Sequence, residues 1–254
     1  MSRTLRRIVS CALIVCAPWS TGAAPAPRTA PAPPTAPAPS TAAPHRGPPD
    51  TMEARVQGCV TCHGPAGRGT KDDYFPRIAG KPAGYLLNQL QNFREGRRSY
   101  PPMNYLLAYL HDDYLKEMAQ YFAQQQLPFA PSEAVKLSAA QLAAGQALVM
   151  HGDTSRQIPA CSACHGAELM GINPGIPGLI GLHSRYISAQ LEAWRAGTRR
   201  AVNPDCMHQV ATRLTEEQIT AVAGWLATQP APKSAQPAPV GQWKTTLRCG
   251  SQPG

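Results

Sequence analysis

Two pentapeptides of the form Cys-x-x-Cys-His stand out in the chain, Cys59-Val60-Thr61-Cys62-His63 and Cys161-Ser162-Ala163-Cys164-His165. Cysteines three positions apart can form thioethers with the two vinyl groups of one porphyrin, and the adjacent histidine then meets the iron from the same side. A bare Cys-x-x-Cys also fits a redox dithiol or half of a zinc site. The trailing histidine, and its recurrence in a chain with 8 Cys and 7 His, favour heme. The expectation is two covalently attached c-type hemes, one on Cys59, Cys62 and His63 and the other on Cys161, Cys164 and His165.

Each histidine leaves one iron position to fill, and an internal repeat nominates the residue that fills it. Pro76, Gly80, Tyr85, Gln89, Leu90, Arg94 and Gly96 recur 101 positions later as Pro177, Gly181, Tyr186, Gln190, Leu191, Arg195 and Gly197. Beyond these the offset becomes 104, pairing Met103 with Met207, Leu110 with Leu214, Asp113 with Glu217 and Tyr121 with Trp225. Met103 follows His63 by 40 residues and Met207 follows His165 by 42, each expected in a loop before the last helix of its copy. A thioether is a soft, uncharged donor suited to heme iron. The expected iron ligands are therefore His63 with Met103, and His165 with Met207. Met52, Met118, Met150 and Met170 have no methionine counterpart and read as packing residues. Cys206 and His208 flank Met207 and are stronger donors in principle, so the second site keeps rivals.

The elements that must position these residues read as helices. A helix from Ser138 through Met150 opens the second copy, with a shorter equivalent before Cys59. A Gly- and Pro-rich loop follows each Cys-x-x-Cys-His. Next come helices over about 83–96 and 184–197, and last come helices over about 112–124 and 215–228, the latter with a capping box from Thr215 and Gln218. No segment carries sustained strand alternation. The fold class is all-α, in two tandem domains each wrapped around its heme. The organisation reads as a signal peptide over 1–23, a Pro/Ala-rich linker over 24–49, domains over 50–130 and 131–230, and a Pro-rich tail over 231–254 in which Trp243 and Leu247 are the packing candidates.

Heme attachment of this kind happens outside the bacterial cytoplasm, and the N-terminus carries a matching export signal. Arg3, Arg6 and Arg7 precede an apolar run from Ile8 to Ala17, followed by the small residues Thr21, Gly22, Ala23 and Ala24. Cleavage is expected after Ala23, and a lipidated Cys16 is the weaker reading because bulky Val15 precedes it. The run is short for a membrane span, so the location is the periplasm, with a membrane tether if the segment is retained. The formal charge is +9, but a cleaved signal removes three arginines and heme propionates offset most of the rest. Nucleic acid is thereby excluded as a partner. Arg97 with Arg98, and Arg199 with Arg200, could form a local docking face, although solvated arginines or propionate partners are the plainer reading.

With these residues in place the chain resembles the diheme cytochrome c4 family of class I cytochromes c. The resemblance rests on Arg55-x-x-x-Cys59-x-x-Cys62-His63-Gly64, Phe75-Pro76-x-x-x-Gly80, Tyr85, Gln89-Leu90, Gly96-x-Arg98 and Met103, with the corresponding set in the second copy. It implies that the Pro76 and Pro177 carbonyls accept hydrogen bonds from His63 and His165, the usual device for orienting a ligating imidazole. It further implies propionate contacts from Tyr85, Tyr186, Arg98 and Arg199, with packing as the alternative for the tyrosines, and two domains whose propionate edges face each other. Cys206, Cys249, the spacer and the tail depart from the family unit. With four cysteines taken by heme and two in the signal, Cys206 and Cys249 are the thiols left over, and in an oxidising compartment they read either as a disulfide pinning the tail beside the second methionine or as two unrelated free cysteines, one of them a competitor of Met207.

Two His/Met hemes leave no open coordination position, which favours outer-sphere electron transfer over substrate chemistry, and methionine opposite histidine raises the potential. The expectation is a non-enzymatic carrier between redox proteins, such as a membrane oxidase, a reductase or a dehydrogenase, with no small-molecule substrate. The alternatives are a diheme relay subunit of a dehydrogenase complex and, less favoured, a diheme peroxidase.

Overall fold

The structure is a computed structural model that describes residues 49–231, 236–241 and 247–252. The expected signal peptide, nearly all of the spacer and Trp243 lie outside the described residues. The two sequence copies fold as two helical domains with separate cores.

The first copy consists of α1 (Met52–Arg55), α2 (Gln57–His63), α3 (Ala83–Arg94), α4 (Pro101–Leu107) and α5 (Asp112–Ala123). Asp112 and Asp113 occupy the first turn of α5, where carboxylates favour the positive end of the helix dipole. Helices α1 and α3 both pack on α5. Between them Val56, Leu86, Phe93, Leu115, Met118 and Phe122 form a buried core.

The second copy consists of α6 (Ala139–His151), α7 (Cys161–His165), β1 (Gly171–Ile172), β2 (Ile176–Pro177), α8 (Ser184–Arg195), α9 (Cys206–Ala211) and α10 (Glu216–Thr228). Complete capping boxes open α6 (Ser138 with Gln141) and α10 (Thr215 with Gln218). Its core includes Val149, Leu169, Met170, Ile187, Leu191, Ile219 and Leu226. The unpaired methionines are packing residues as expected: Met118 and Met170 are buried, and Met52 and Met150 lie against the two cores.

Helices α6 and α10 cross with almost no space between them. A Cβ on Gly145 would lie 2.2 Å from the Ala221 carbonyl oxygen and 3.0 Å from the Trp225 Cβ. Gly145→Val should therefore destabilise the second domain by about 1–3 kcal/mol from overpacking, despite the better helix propensity of any residue other than glycine. Denaturant unfolding checks this, and a variant as stable as the parent would contradict the close crossing.

Two features differ from the sequence expectation. Met103 and Met207 lie in short helices, α4 and α9, rather than in loops. Pro101 and Pro102 preset the first turn of α4, and the Asp205 side chain caps α9 by accepting from the His208 backbone N–H. The second copy also contains a hairpin, β1 paired antiparallel with β2 through Gly171 with Pro177 and Ile172 with Ile176. Two residues per strand are too few for alternation to register.

The connection between domains is held by Arg77, which is buried. Its guanidinium donates to the Leu127 carbonyl at 2.6 Å and the Pro128 carbonyl at 3.0 Å, and stacks 4.1 Å from the Phe129 ring centroid. Phe129 in turn packs on the second core. Among the described residues, no helix is long and apolar enough to cross a membrane.

Candidate heme sites

Helix α2 ends on His63 and α7 ends on His165, so each Cys-x-x-Cys-His forms one short helical turn. A glycine in a left-handed conformation follows each, Gly64 at φ +73° and Gly166 at φ +85°. At Gly64 a Cβ would also meet the Gly69 carbonyl oxygen at 2.4 Å, so the chain turns sharply away from the histidine there. That turn brings the loop proline back. The Nδ1–H of His63 donates to the Pro76 carbonyl at 2.9 Å, and that of His165 donates to the Pro177 carbonyl at 2.8 Å. A carbonyl only accepts, so Nδ1 carries the proton and Nε2 is the nitrogen presented to iron. Burial lowers both histidine pKa values, with the proline carbonyls opposing it. Neutral imidazole is the form that ligates.

The same geometry weighs against the two rival readings of the cysteines. A redox dithiol depends on a low-pKa thiolate, whereas burial raises the Cys59 thiol and pushes Cys161 up to about 12. A zinc site would need further ligands converging on each pair. Among the described residues the one grouping of three such side chains is Asp73, Glu133 and His183, away from both cysteine pairs. That group is engaged at the domain junction. Glu133 accepts from the Ser184 backbone N–H and hydroxyl, Asp73 pairs with Arg185 at 3.3 Å, and His183 Nε2 donates to the Thr70 carbonyl at 3.2 Å.

Met103 lies half-buried against the first core and Met207 against the second. Both neighbours of Met207 are otherwise engaged. Cys206 is disulfide-bonded to Cys249, and His208, exposed, donates from Nδ1 to the Trp194 carbonyl at 2.9 Å. The bridge pins the tail beside α9, as the spare-cysteine argument anticipated. Leu247 lies against the second core.

Between the domains the repeat meets itself. Segments 97–99 and 198–200 run antiparallel, with Arg98 opposite Arg199, the Ser99 N–H donating to Thr198 at 2.9 Å and the Arg200 N–H to Arg97 at 2.7 Å. Each central guanidinium reaches into the other copy. Arg98 donates to the Tyr186 hydroxyl at 3.0 Å and to Gln190 at 2.6 Å. Arg199 donates to the Tyr85 hydroxyl at 3.3 Å and to Gln89 at 3.0 Å. Arg98 stacks on Phe93 and Arg199 on Trp194, residues at matching repeat positions. These arginines are not a docking face, since Arg199 is only 4% exposed and Arg98 is tied into the opposite domain. Burial opposes ionisation of Tyr186, but the two guanidiniums outweigh it and hold the hydroxyl below the usual tyrosine range.

The donor set fits a heme in each domain. Each copy offers two thiols without a disulfide partner, a histidine with Nε2 free of the proline carbonyl, and a methionine. Among the described residues Arg98 and Arg199 have no carboxylate within ion-pair distance, and burial together with Arg98 lowers the pKa of Arg199. The buried Trp194 Nε1–H has no acceptor among them either. Unneutralised cations and an orphan donor are what propionates would satisfy.

The cytochrome c family profile matches residues 53–144 and again residues 142–230. The thiosulfate dehydrogenase electron acceptor of Thiomonas intermedia (strain K12) is 37% identical over 172 residues, covering 68% of this chain and 78% of that protein. The cytochrome c4 of Pseudomonas aeruginosa is 33% identical over 177 residues, 68% of this chain and 85% of that one. The crystal structure of reduced recombinant cytochrome c4 from Pseudomonas stutzeri superposes with a TM-score of 0.61 at 29% identity, covering 69% of this chain and 95% of that chain.

Proposed function

The chain belongs to the cytochrome c family as a diheme electron-transfer protein of the cytochrome c4 type, and from that premise we propose that it is an exported carrier serving a thiosulfate-oxidising dehydrogenase. Cys59 and Cys62 hold the first heme with His63 and Met103 as iron ligands, and Cys161 and Cys164 hold the second with His165 and Met207. The observation that carries the ligand assignment is the doubled histidine-to-proline hydrogen bond. It presents Nε2 to iron in both copies at equivalent places, each followed by a half-buried methionine helix.

The heme, when bound, supplies a one-electron couple. The residues around it do the rest. Pro76 and Pro177 fix the imidazole planes, so little rearrangement accompanies a change in iron charge. Met103 and Met207 would supply thioether sulfurs to the irons, which favours a high potential. Arg98 and Arg199, together with Tyr85 and Tyr186, would neutralise and position heme propionates at the junction of the domains.

The dehydrogenase partner is supported by the relative named as an electron acceptor of that enzyme. Onward delivery is to a terminal oxidase or reductase, and the export signal read in the sequence supports exchange in the periplasm. The test is stopped-flow mixing of the oxidised protein with a purified thiosulfate dehydrogenase and thiosulfate. Both hemes should be reduced within a few turnovers of the enzyme. No reduction, alongside normal reduction of a known acceptor, would reject the partner. Co-purification in a fixed ratio with the dehydrogenase would replace the shuttle by a relay subunit, the second reading that the same relative supports.

A further inference from the structure

Lys81 is a buried lysine that neither heme site uses. It lies on the first domain's loop after Pro76 and is 7% exposed. Its Nζ donates to the Gly178 carbonyl, 2.6 Å away, in the second domain. Gly178 directly follows Pro177, whose carbonyl holds His165. A cation from the first domain thus rests one peptide unit from the carbonyl that fixes His165.

Nothing mirrors this contact. At the repeat offset of 101, Lys81 corresponds to Leu182 and Gly178 corresponds to Arg77. Packing alone does not call for a lysine here. An uncompensated buried ammonium is costly, Lys81 has no carboxylate within ion-pair distance among the described residues, and burial, with Arg77 nearby, lowers its pKa to about 7. The guanidinium of Arg77 is spent on the carbonyls of Ala79, Leu127 and Pro128 and does not reach Gly178.

We infer that Lys81 is a positioning residue for the second heme: delivered by the first domain, its ammonium braces the backbone that holds His165 and raises the second heme's reduction potential. Oxidised iron carries one more positive charge than reduced iron, so a fixed cation on the histidine side disfavours the oxidised form. The repeat partner Leu182 supplies no such charge to the first heme, so the effect separates the two potentials. The inference rests on His165 and Met207 holding the second heme.

The experiment is a redox titration of the full diheme protein at pH 6, where Lys81 is protonated, with the two potentials assigned by their response to Met207→His. Lys81→Met should lower the second potential and leave the first unchanged. Lys81→Gln, which keeps a donor for Gly178 without the charge, should do the same and serves if the methionine variant fails to load heme. An unchanged second potential, or equal shifts in both, would overturn the inference and leave Lys81 as a tie between domains. His165→Ala separates the two levels of failure. Retention of two low-spin hemes in that variant would mean the ligand assignment, rather than the role of Lys81, is wrong.

Discussion

Met207→His lowers the second heme's reduction potential by on the order of 0.1 V and removes one of two Met-ligation bands from the ferric spectrum, while Met103→His does the same to the first heme alone. Axial ligands tune heme potentials over a range of ~0.8 V, and exchanging a thioether for an imidazole favours the ferric state. The two changes should be independent in the spectrum because the methionines lie against separate cores. The second site is the sharper test. Its rivals are Cys206, held in the bridge to Cys249, and His208, turned to the Trp194 carbonyl. If Met207→Leu left the second heme's ferric spectrum and potential unaltered, one of these neighbours would be the ligand instead.

Arg98→Met and Arg199→Met form the second large prediction. Each substitution removes charge-assisted hydrogen bonds to a tyrosine and a glutamine of the opposite domain, at about 2 kcal/mol in unfolding free energy. The double variant should cost more than the sum, because each single variant leaves Gln89 and Gln190 with one guanidinium and relieves the repulsion between the two like charges, a relief the double variant gains only once. Both potentials should fall as well, since each arginine would, on the proposed arrangement, contribute positive charge beside the propionates. Additive stability losses with unmoved potentials would reduce the cluster to an ordinary domain contact, remote from the propionates.

The residues proposed to hold heme were legible because that chemistry demands fixed spacing. Cys-x-x-Cys-His and the Thr215–Gln218 capping box are local signals and each folds as expected, whereas the matching methionines stand in short helices instead of loops. The short helices α4 and α9 were harder to read, because a single turn has too little apolar periodicity to stand out. Their signals were Pro101-Pro102 and the Asp205 cap rather than a stripe. The exchange of Arg98 and Arg199 between domains was hidden for another reason. The repeat shows that both copies keep the arginine, but not that it bonds across to the other copy rather than within its own. Gln89 and Gln190, polar residues repeated on apolar helices, were the clue that each helix faces a polar partner. Lys81 was invisible in the comparison of halves because it is a point where they differ. Its significance depends on a carbonyl 97 residues away in sequence.

The tail does more than cover the second methionine helix. It pairs at Ala238 with the hairpin, where the Asn173 N–H donates to the Ala238 carbonyl at 2.9 Å, is bonded at Cys249 to Cys206, and at Ser251 accepts from Asn88 of α3 in the first domain at 3.0 Å. The returning tail therefore joins the first domain to the second in addition to the Arg77-clamped connection, the exchanged arginines and Lys81. A door on one hinge swings, and a door hung from two hinges on different axes does not. The covalent connection and the tail close the two domains into a ring of contacts, so a change in the spacing of the halves would have to break one of them.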